Sequence, residues 1–216
     1  MGTFYGNVLV ARSCAEAVPL LAGEGVTGYA LPVGPGHTVV FPDPDTSALD
    51  LVGGLSELLA APAVGTYVFD SDVLVMLVHE DDALRLHYDS CPGYFAEPEI
   101  DEYGNPLVPV DDVGFPAPEG VDPDAFLSLA AGPVDRAALE SALRGIPSDP
   151  EDPEDAEDGR YVFANVQHYD VMACLGLDAS RLTTGFSYLA GGDLPYGTSA
   201  GDLVVLGGVV RPTRRG

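Results

Sequence analysis

The sequence predicts an α+β protein built on a mainly antiparallel sheet with helices packed on it. Short runs rich in Val, Leu, Phe and Tyr are bounded by Gly, Pro and Asp, which is typical of strands joined by tight turns. Segments with apolar residues at helical spacing stand between those runs. Two β-containing parts, 1–96 and 160–216, flank an acidic, proline-rich region of helices and loops at 97–159. We expect the two parts to pack together as one domain.

The N-terminal part opens with alternating strands and helices. In chain order we predict a strand, a helix, two strands joined by a turn, and a second helix, at residues 7–11, 14–22, 29–33, 38–41 and 48–60. Ser13 is a favourable N-cap for the first helix, and Gly23 and Gly25 end it. The apolar residues of the second helix fall on one face, so this helix should pack on the sheet.

The clearest β signal follows, at residues 66–69, 73–78 and 84–88. The last two of these runs predict a hairpin with the loop 80–83. This register pairs two residues of one strand with two of the other: Val78 with Arg85 and Met76 with His87. The first strand of the hairpin is apolar on both faces, which favours a buried position. The second alternates apolar and polar residues, so one of its faces is wet or lines a cleft.

The middle region is marked by its charge, since residues 97–158 contain 18 of the 34 acidic residues. Two short helices should begin at Asp122-Pro123 and Asp135-Arg136, where an aspartate precedes a residue suited to the first helical turn. Four leucines would dock these helices on the core: Leu127, Leu129, Leu139 and Leu143. In 148–159 the like charges repel and proline blocks helix formation, so we expect a disordered loop.

Residues 160–216 return to the pattern of ordered elements. We predict a strand, a helix capped by Asn165 and two further strands, at residues 161–164, 165–175, 185–189 and 203–206. Gly176 is placed to end the helix.

The charge balance restricts the partners of this chain. It has 34 Asp and Glu against nine basic residues, all of them Arg, and its net charge is −25. Nucleic acids and anionic membranes need clustered Lys or Arg, so both are disfavoured, whereas a basic protein would be attracted over a long range. The lack of lysine has two explanations: the codon bias of a GC-rich genome, which the high apolar content favours, or adaptation to high salt.

Cysteine usage and the N-terminus indicate a cytoplasmic protein. Cys14, Cys91 and Cys174 are odd in number and widely spaced, which fits reduced thiols better than a disulfide framework or a zinc site. The N-terminal residues lack the basic and apolar regions of a signal peptide. Without lysine there is no phosphate-binding loop of the usual kind. The sequence therefore predicts no metal and no cofactor.

One segment gathers the residue types of a catalytic site. Asp72, His87, Asp89 and Cys91 lie close together in sequence, and a cysteine with a histidine can act as a nucleophile and its base. This pattern predicts, as one alternative, a small hydrolase-like or thiol-dependent enzyme. The other interpretation is structural, because Pro92 favours a break at Cys91. The segment would then turn at Pro92-Gly93 and pack the next two residues back on the sheet.

A second set of residues points to binding rather than catalysis. The loop acids would supply rim charge to a protein interface: Asp149, Glu151, Asp152, Glu154, Asp155, Glu157 and Asp158. Tyrosines beside carboxylates form a surface that can grip an Arg-rich partner. A specific contact would still need a small apolar and aromatic centre. With no catalytic motif in the sequence, a non-enzymatic module that binds a basic protein is the leading hypothesis.

Several runs of the sequence carry a family resemblance: Asp70–Leu74, Tyr88–Phe95, Leu175-Gly-Leu and Gly185–Leu189. They resemble uncharacterised bacterial proteins of the actinomycete type, over about half of the chain. This resemblance implies no particular activity and no catalytic residue. In type, as a small acidic α+β protein, the chain is also similar to the immunity proteins that neutralise bacterial toxins.

Overall fold

The computed structural model describes residues 2–95, 116–147, 156–157 and 159–212. Its strands are β1 (Tyr5–Val10), β2 (Gly28–Gly34), β3 (His37–Pro42), β4 (Ala63–Phe69), β5 (Val73–Glu80), β6 (Ala83–Asp89), β7 (Ala156–Glu157), β8 (Arg160–Tyr161) and β9 (Val204–Leu206). Its α-helices are α1 (Cys14–Gly23), α2 (Ala48–Leu59), α3 (Arg136–Leu143), α4 (Ala164–Cys174) and α5 (Phe186–Ala190). Two 3₁₀ helices span Pro123–Leu129 and Ala179–Arg181.

Seven strands form one sheet in the order β6-β5-β4-β1-β3-β2-β9. Every neighbouring pair in it is antiparallel. The predicted α+β class with a mainly antiparallel sheet is therefore confirmed. The first strand of the chain lies in the middle of the sheet, and β9, from the C-terminal part, pairs with β2 at one edge.

Helices cover both faces of the sheet. On one side, here the α1–α2 face, residues of α1 and α2 pack on alternate residues of the strands, such as Val8 and Val40. On the other side, the α4 face, α3, α4, α5 and the longer 3₁₀ helix bury a larger core that contains Tyr88, Phe126 and Met172. Alternation along each strand assigns successive side chains to opposite faces, so both cores share the same strands.

The hairpin of β5 and β6 departs from the predicted register from Val78 onward. Its loop is two residues long, because Asp81 and Asp82 both adopt a positive φ, 50° and 59°. A bulge at Arg85 then shifts the pairing by one residue, giving Val78 with Leu86 and Met76 with Tyr88. The predicted pairs of Val78 with Arg85 and Met76 with His87 are wrong for this reason. The shift turns Leu86 and Tyr88 toward the α4-face core.

The C-terminal part differs from its predicted elements in three places. The predicted strand 185–189 is instead helix α5, with the Leu189 amide donating to the Gly185 carbonyl. The helix predicted from Asn165 begins one residue earlier, after Phe163. The strand expected at 161–164 is reduced to β8, which pairs with β7. Of the predicted disordered loop 148–159, the structure describes the backbone of 156–157 and residue 159, and the rest lies outside the described residues.

Among the residues that the structure describes, no helix has the length and apolar character needed to cross a membrane.

Candidate functional site

The structure brings three of the four candidate catalytic residues near one another. Cys91 is buried against Val73 and Val75, just beyond the end of β6. The Asp89 carboxylate accepts a hydrogen bond from the Cys91 amide, at 2.9 Å. Asp72 is exposed at the turn that precedes β5, and its charge acts on the Cys91 thiol.

His87 stands apart from this group. It lies on β6 opposite Leu77, exposed on the α1–α2 face. Cys91 follows four residues later, which in an extended chain corresponds to about 13 Å. No hydrogen bond joins these two described side chains, so the structure does not form the nucleophile–base contact that thiol catalysis requires.

The pKa of the Cys91 thiol also argues against a catalytic role for this residue. Burial raises its pKa, and the negative charges of Asp89 and Asp72 raise it further. A thiol with a raised pKa carries less of the nucleophilic thiolate at neutral pH. The surroundings of Cys91 thus suit a small apolar residue that supports the sheet end.

We expect Cys91 in the native protein to resist alkylation by iodoacetamide at pH 7, and its reaction rate to keep rising up to at least about pH 9. The raised pKa and the burial of the sulfur both lower the concentration of reactive thiolate. Peptide mass spectrometry after timed alkylation measures the rate. The same protein in urea is the control, because unfolding should restore ordinary reactivity. Fast alkylation of Cys91 at pH 6 would contradict this expectation and favour the enzyme alternative.

The most distinctive surface feature is a set of five rings that the sequence did not single out together. We call it the aromatic cluster, and its members are Phe4, Tyr67, Phe69, Tyr94 and Phe95. Phe69 is its hub, with ring centroids 5.0 Å from Phe4, 5.1 Å from Phe95 and 6.0 Å from Tyr94. The contacts of Phe69 with these three rings are edge-to-face, the arrangement that aromatic rings prefer.

The aromatic cluster follows from two features of the chain. Strand alternation places Tyr67 and Phe69 on the α1–α2 face, at the end of β4. The turn after β6 then brings Tyr94 and Phe95 back over the sheet, closed by the hydrogen bond from the Tyr94 amide to the Cys91 carbonyl, at 3.1 Å. This matches the structural interpretation of the segment, in which the two aromatic residues after Pro92-Gly93 pack on the sheet.

Much of the aromatic cluster is open to solvent. Phe4 is 44% exposed, Tyr94 40% and Phe95 56%. Single exposed apolar side chains are common on protein surfaces, but contiguous ones mark sites of interaction. The cluster rests on a small buried apolar base that includes Val73 and Val75, so the rings are supported from below.

Carboxylates border the aromatic cluster. The Tyr94 hydroxyl donates to Asp72 Oδ2 at 3.0 Å, and this hydrogen bond raises the pKa of Tyr94, with further contributions from burial and from the charges of Asp72 and Asp70. The tyrosine therefore stays a neutral donor at physiological pH. The Tyr94 hydroxyl and the two aspartates form a polar border along one side of the aromatic cluster.

Phe4 and Tyr67 also line a cleft of about 560 Å³, which we call the acidic cleft. Its opposite side is the loop that leads into α2, with Asp43 and Asp45, followed by Asp50 in the first turn of that helix. No arginine or histidine is among the described residues that line it. The acidic cleft and the aromatic cluster thus share two rings and form one continuous surface.

A second cleft, of about 460 Å³, has a different character. Asp72 and Cys91 line it, together with Arg144 and Arg160. The Arg144 guanidinium, at the end of α3, is paired with Glu140 one turn earlier, at 2.6 Å, so its charge is partly neutralised. Because His87 does not line this cleft, it lacks the base of the predicted catalytic pair.

No group of three His, Cys, Asp or Glu side chains in the described part of the chain is arranged to hold a metal ion. The seven acidic residues predicted to bind a partner fall in 149–158. All of them lie outside the described residues except Glu157, whose backbone belongs to β7. Comparison with known proteins gives no match: no family model, no curated protein and no solved structure is similar to the chain.

Proposed function

We propose that this protein is a non-enzymatic binding module whose partner is a basic protein. The observation that carries the proposal is the exposed aromatic cluster, bordered by carboxylates and continuous with the acidic cleft. An apolar centre with a charged rim is the usual anatomy of a protein interface. The charged side chains described in that border are all aspartates, so the border is negatively charged.

The aromatic cluster would supply most of the binding energy. Large aromatic side chains at the centre of an interface are frequent hot spots, because they bury much apolar area and lose little conformational freedom. The hub ring Phe69 is held by edge-to-face contacts with its neighbours, so the free protein already orders these rings and would lose little freedom on binding.

The negative charge would select the partner and speed its approach. At a net charge of −25, the chain repels acidic proteins and nucleic acids and attracts basic proteins over a long range. The acids of 149–158 would add to this steering and to the rim. An immunity-like or neutraliser-like role in the cytoplasm, with reduced thiols, agrees with this chemistry.

The alternative is a hydrolase-like or thiol-dependent enzyme. Its one favourable observation is that Asp72 and Cys91 line the same cleft as two arginines. The separation of His87 and the raised pKa of Cys91 make it the weaker proposal.

The test is capture of a partner from the source organism's lysate with tagged protein, washed at low and high salt and read by mass spectrometry. We expect one basic protein at stoichiometric level, released by high salt. The purified partner must then rebind the tagged protein. Its association rate should fall with added salt and fall again when the acids of 149–158 are replaced by Asn and Gln. Retention of no basic protein, or an association rate indifferent to salt, would overturn the proposal.

A further inference from the structure

We propose that the acidic cleft binds the guanidinium group of an arginine side chain presented by the basic partner. This inference rests on the proposed function and deepens it, since it names the chemical group that anchors the partner.

Closely packed backbone forms part of the cleft lining. This lining includes Gly6 and Gly185, whose backbones lie close to neighbouring elements. A Cβ added at Gly185 would lie 2.6 Å from the Tyr5 Cβ, and one at Gly6 would lie 3.2 Å from the Ala48 Cβ. A side chain at Gly185 would push its segment away from Tyr5, and one at Gly6 would crowd Ala48, so both glycines allow a close approach of the backbones that line the cleft.

Aromatic rings form part of its walls. Phe4 and Tyr67 stand on the side of the aromatic cluster, and Phe186 stands at the start of α5. Phe186 is held in place by stacking on Tyr29, with centroids 4.9 Å apart and an angle of 17° between the rings. A planar guanidinium can stack on such faces more favourably than a compact ammonium, which keeps its water more strongly.

The carboxylates are held at different depths. Asp43 is half-buried, and its oxygens accept hydrogen bonds from the Thr27 hydroxyl, the Asp45 amide at 3.2 Å and the Thr46 hydroxyl at 3.3 Å. Asp45 itself and Asp50 are exposed at the mouth. Because these hydrogen bonds fix the Asp43 carboxylate, Asp45 and Asp50 are the carboxylates free to pair with several donors of an arginine.

The N-terminus of α2, which is the positive end of the helix dipole, also lies at the mouth of the acidic cleft. A nearby carboxylate compensates this positive charge. Ser47 caps this helix and Asp50 is in its first turn, where a negative charge offsets the helix dipole. The cleft as a whole therefore keeps a negative potential, with three carboxylates and no cationic side chain among its described lining residues. An arginine in the cleft would place the adjoining partner surface over Phe69, Tyr94 and Phe95, because Phe4 belongs to both features.

The experiment uses the full chain and three small probes: the N-acetyl methylamides of arginine, lysine and citrulline. Citrulline has nearly the shape of arginine without its charge. We follow the backbone amide resonances of Gly6, Ser47 and Gly185 by NMR during titration. We expect the arginine probe to bind at millimolar concentration, about threefold tighter than the lysine probe. The citrulline probe should shift none of the three resonances.

A pair of double variants locates the binding. Changing Asp45→Asn and Asp50→Asn should weaken the arginine probe about tenfold, since it removes two carboxylates and leaves the shape intact. Changing Asp81→Asn and Asp82→Asn is the matched control, because it removes the same charge at the β5–β6 turn outside the cleft. The control should bind the probe as the wild type does.

The outcomes separate this inference from the proposed function. Equal binding of arginine and citrulline, equal binding of arginine and lysine, or equal weakening in both double variants would overturn the assignment of a guanidinium site. The proposed function would survive that result if a basic partner still binds and depends on Tyr94 and Phe95. Loss of both the probe and the partner would overturn both.

Discussion

Replacing Tyr94 and Phe95 together by alanine should weaken the binding of the basic partner by about 30-fold or more. Both rings are exposed at the rim of the aromatic cluster and would become buried in the interface. Truncation of two aromatic hot spots removes at least about 2 kcal/mol of binding free energy. The effect should fall on the dissociation rate, because the charges that steer association are unchanged. Surface plasmon resonance with the purified partner measures both rates.

The chain offers a matched control for this variant. Tyr196 is 95% exposed and lies outside the aromatic cluster, so Tyr196→Ala removes an equivalent ring from another part of the surface. It should leave both rates unchanged. Because the rings of Tyr94 and Phe95 are only partly buried, their loss should lower the thermal unfolding temperature modestly and leave the protein folded at the temperature of the binding measurement. An unaltered dissociation rate in the double variant would show that the partner docks elsewhere.

The second large effect concerns a buried histidine and the pH dependence of stability. His168 on α4 is fully buried against the sheet, with Nδ1 2.8 Å from the Tyr5 hydroxyl and Nε2 3.4 Å from the Thr66 hydroxyl. Burial lowers its pKa to about 3, since the charged imidazolium loses its water there. The folded protein therefore holds this histidine neutral between two hydroxyl groups.

The sign of the effect follows from linkage. In the unfolded chain the imidazole has a pKa of about 6.5, so below that pH the unfolded state binds a proton that the folded state excludes. Above about pH 6.5, His168 therefore does not lower the free energy of unfolding. As the pH falls from there toward about 3, His168 lowers that free energy progressively. The slope is about 1.4 kcal/mol per pH unit, so the loss between pH 7.5 and pH 5 is about 2 kcal/mol.

Comparison of wild type with His168→Gln isolates this contribution. The many carboxylates titrate in both proteins, so their effect largely cancels in the difference. We expect the stability advantage of the wild type, measured by urea unfolding at each pH, to shrink by about 2 kcal/mol between pH 7.5 and pH 5. His87→Gln, at an exposed position, is the control for removing one imidazole. Parallel curves for wild type and His168→Gln would refute the buried neutral state.

The fold class was predictable because the strand and helix periodicities are strong, and most strands lie within a few residues of their predicted positions. The register of β5 and β6 could not be predicted from the sequence. A bulge at Arg85 depends on how Leu86 and Tyr88 fill the α4-face core, and that fit is a tertiary property. Helix α5 was missed because Phe186 and Tyr188 alternate as in a strand, and a helix of five residues is too short to show a helical period.

The candidate site was only partly visible in the sequence. The turn at Pro92-Gly93 and the return of the next two rings to the sheet follow from local turn chemistry. The alternation of Tyr67 and Phe69 was also readable, since both lie on one face of a strand. The contact between Phe4 and Phe69 could not be predicted, because β1 and β4 are distant in sequence and become neighbours only in the sheet.

The position of β9 makes the outer edge of the sheet depend on residues that are synthesised long after β2. Its neighbour β2 belongs to the first part of the chain, and the Tyr29 hydroxyl of β2 donates to the Val210 carbonyl, 181 residues later. At the usual rates of translation, roughly 10 to 40 s separate the synthesis of these two residues. Throughout that interval the outer side of β2 has no strand partner and can pair with another nascent chain. A nascent chain in which β9 has not yet been synthesised therefore exposes a strand edge that the folded protein covers, and the pairing of β9 with β2 ends that exposure.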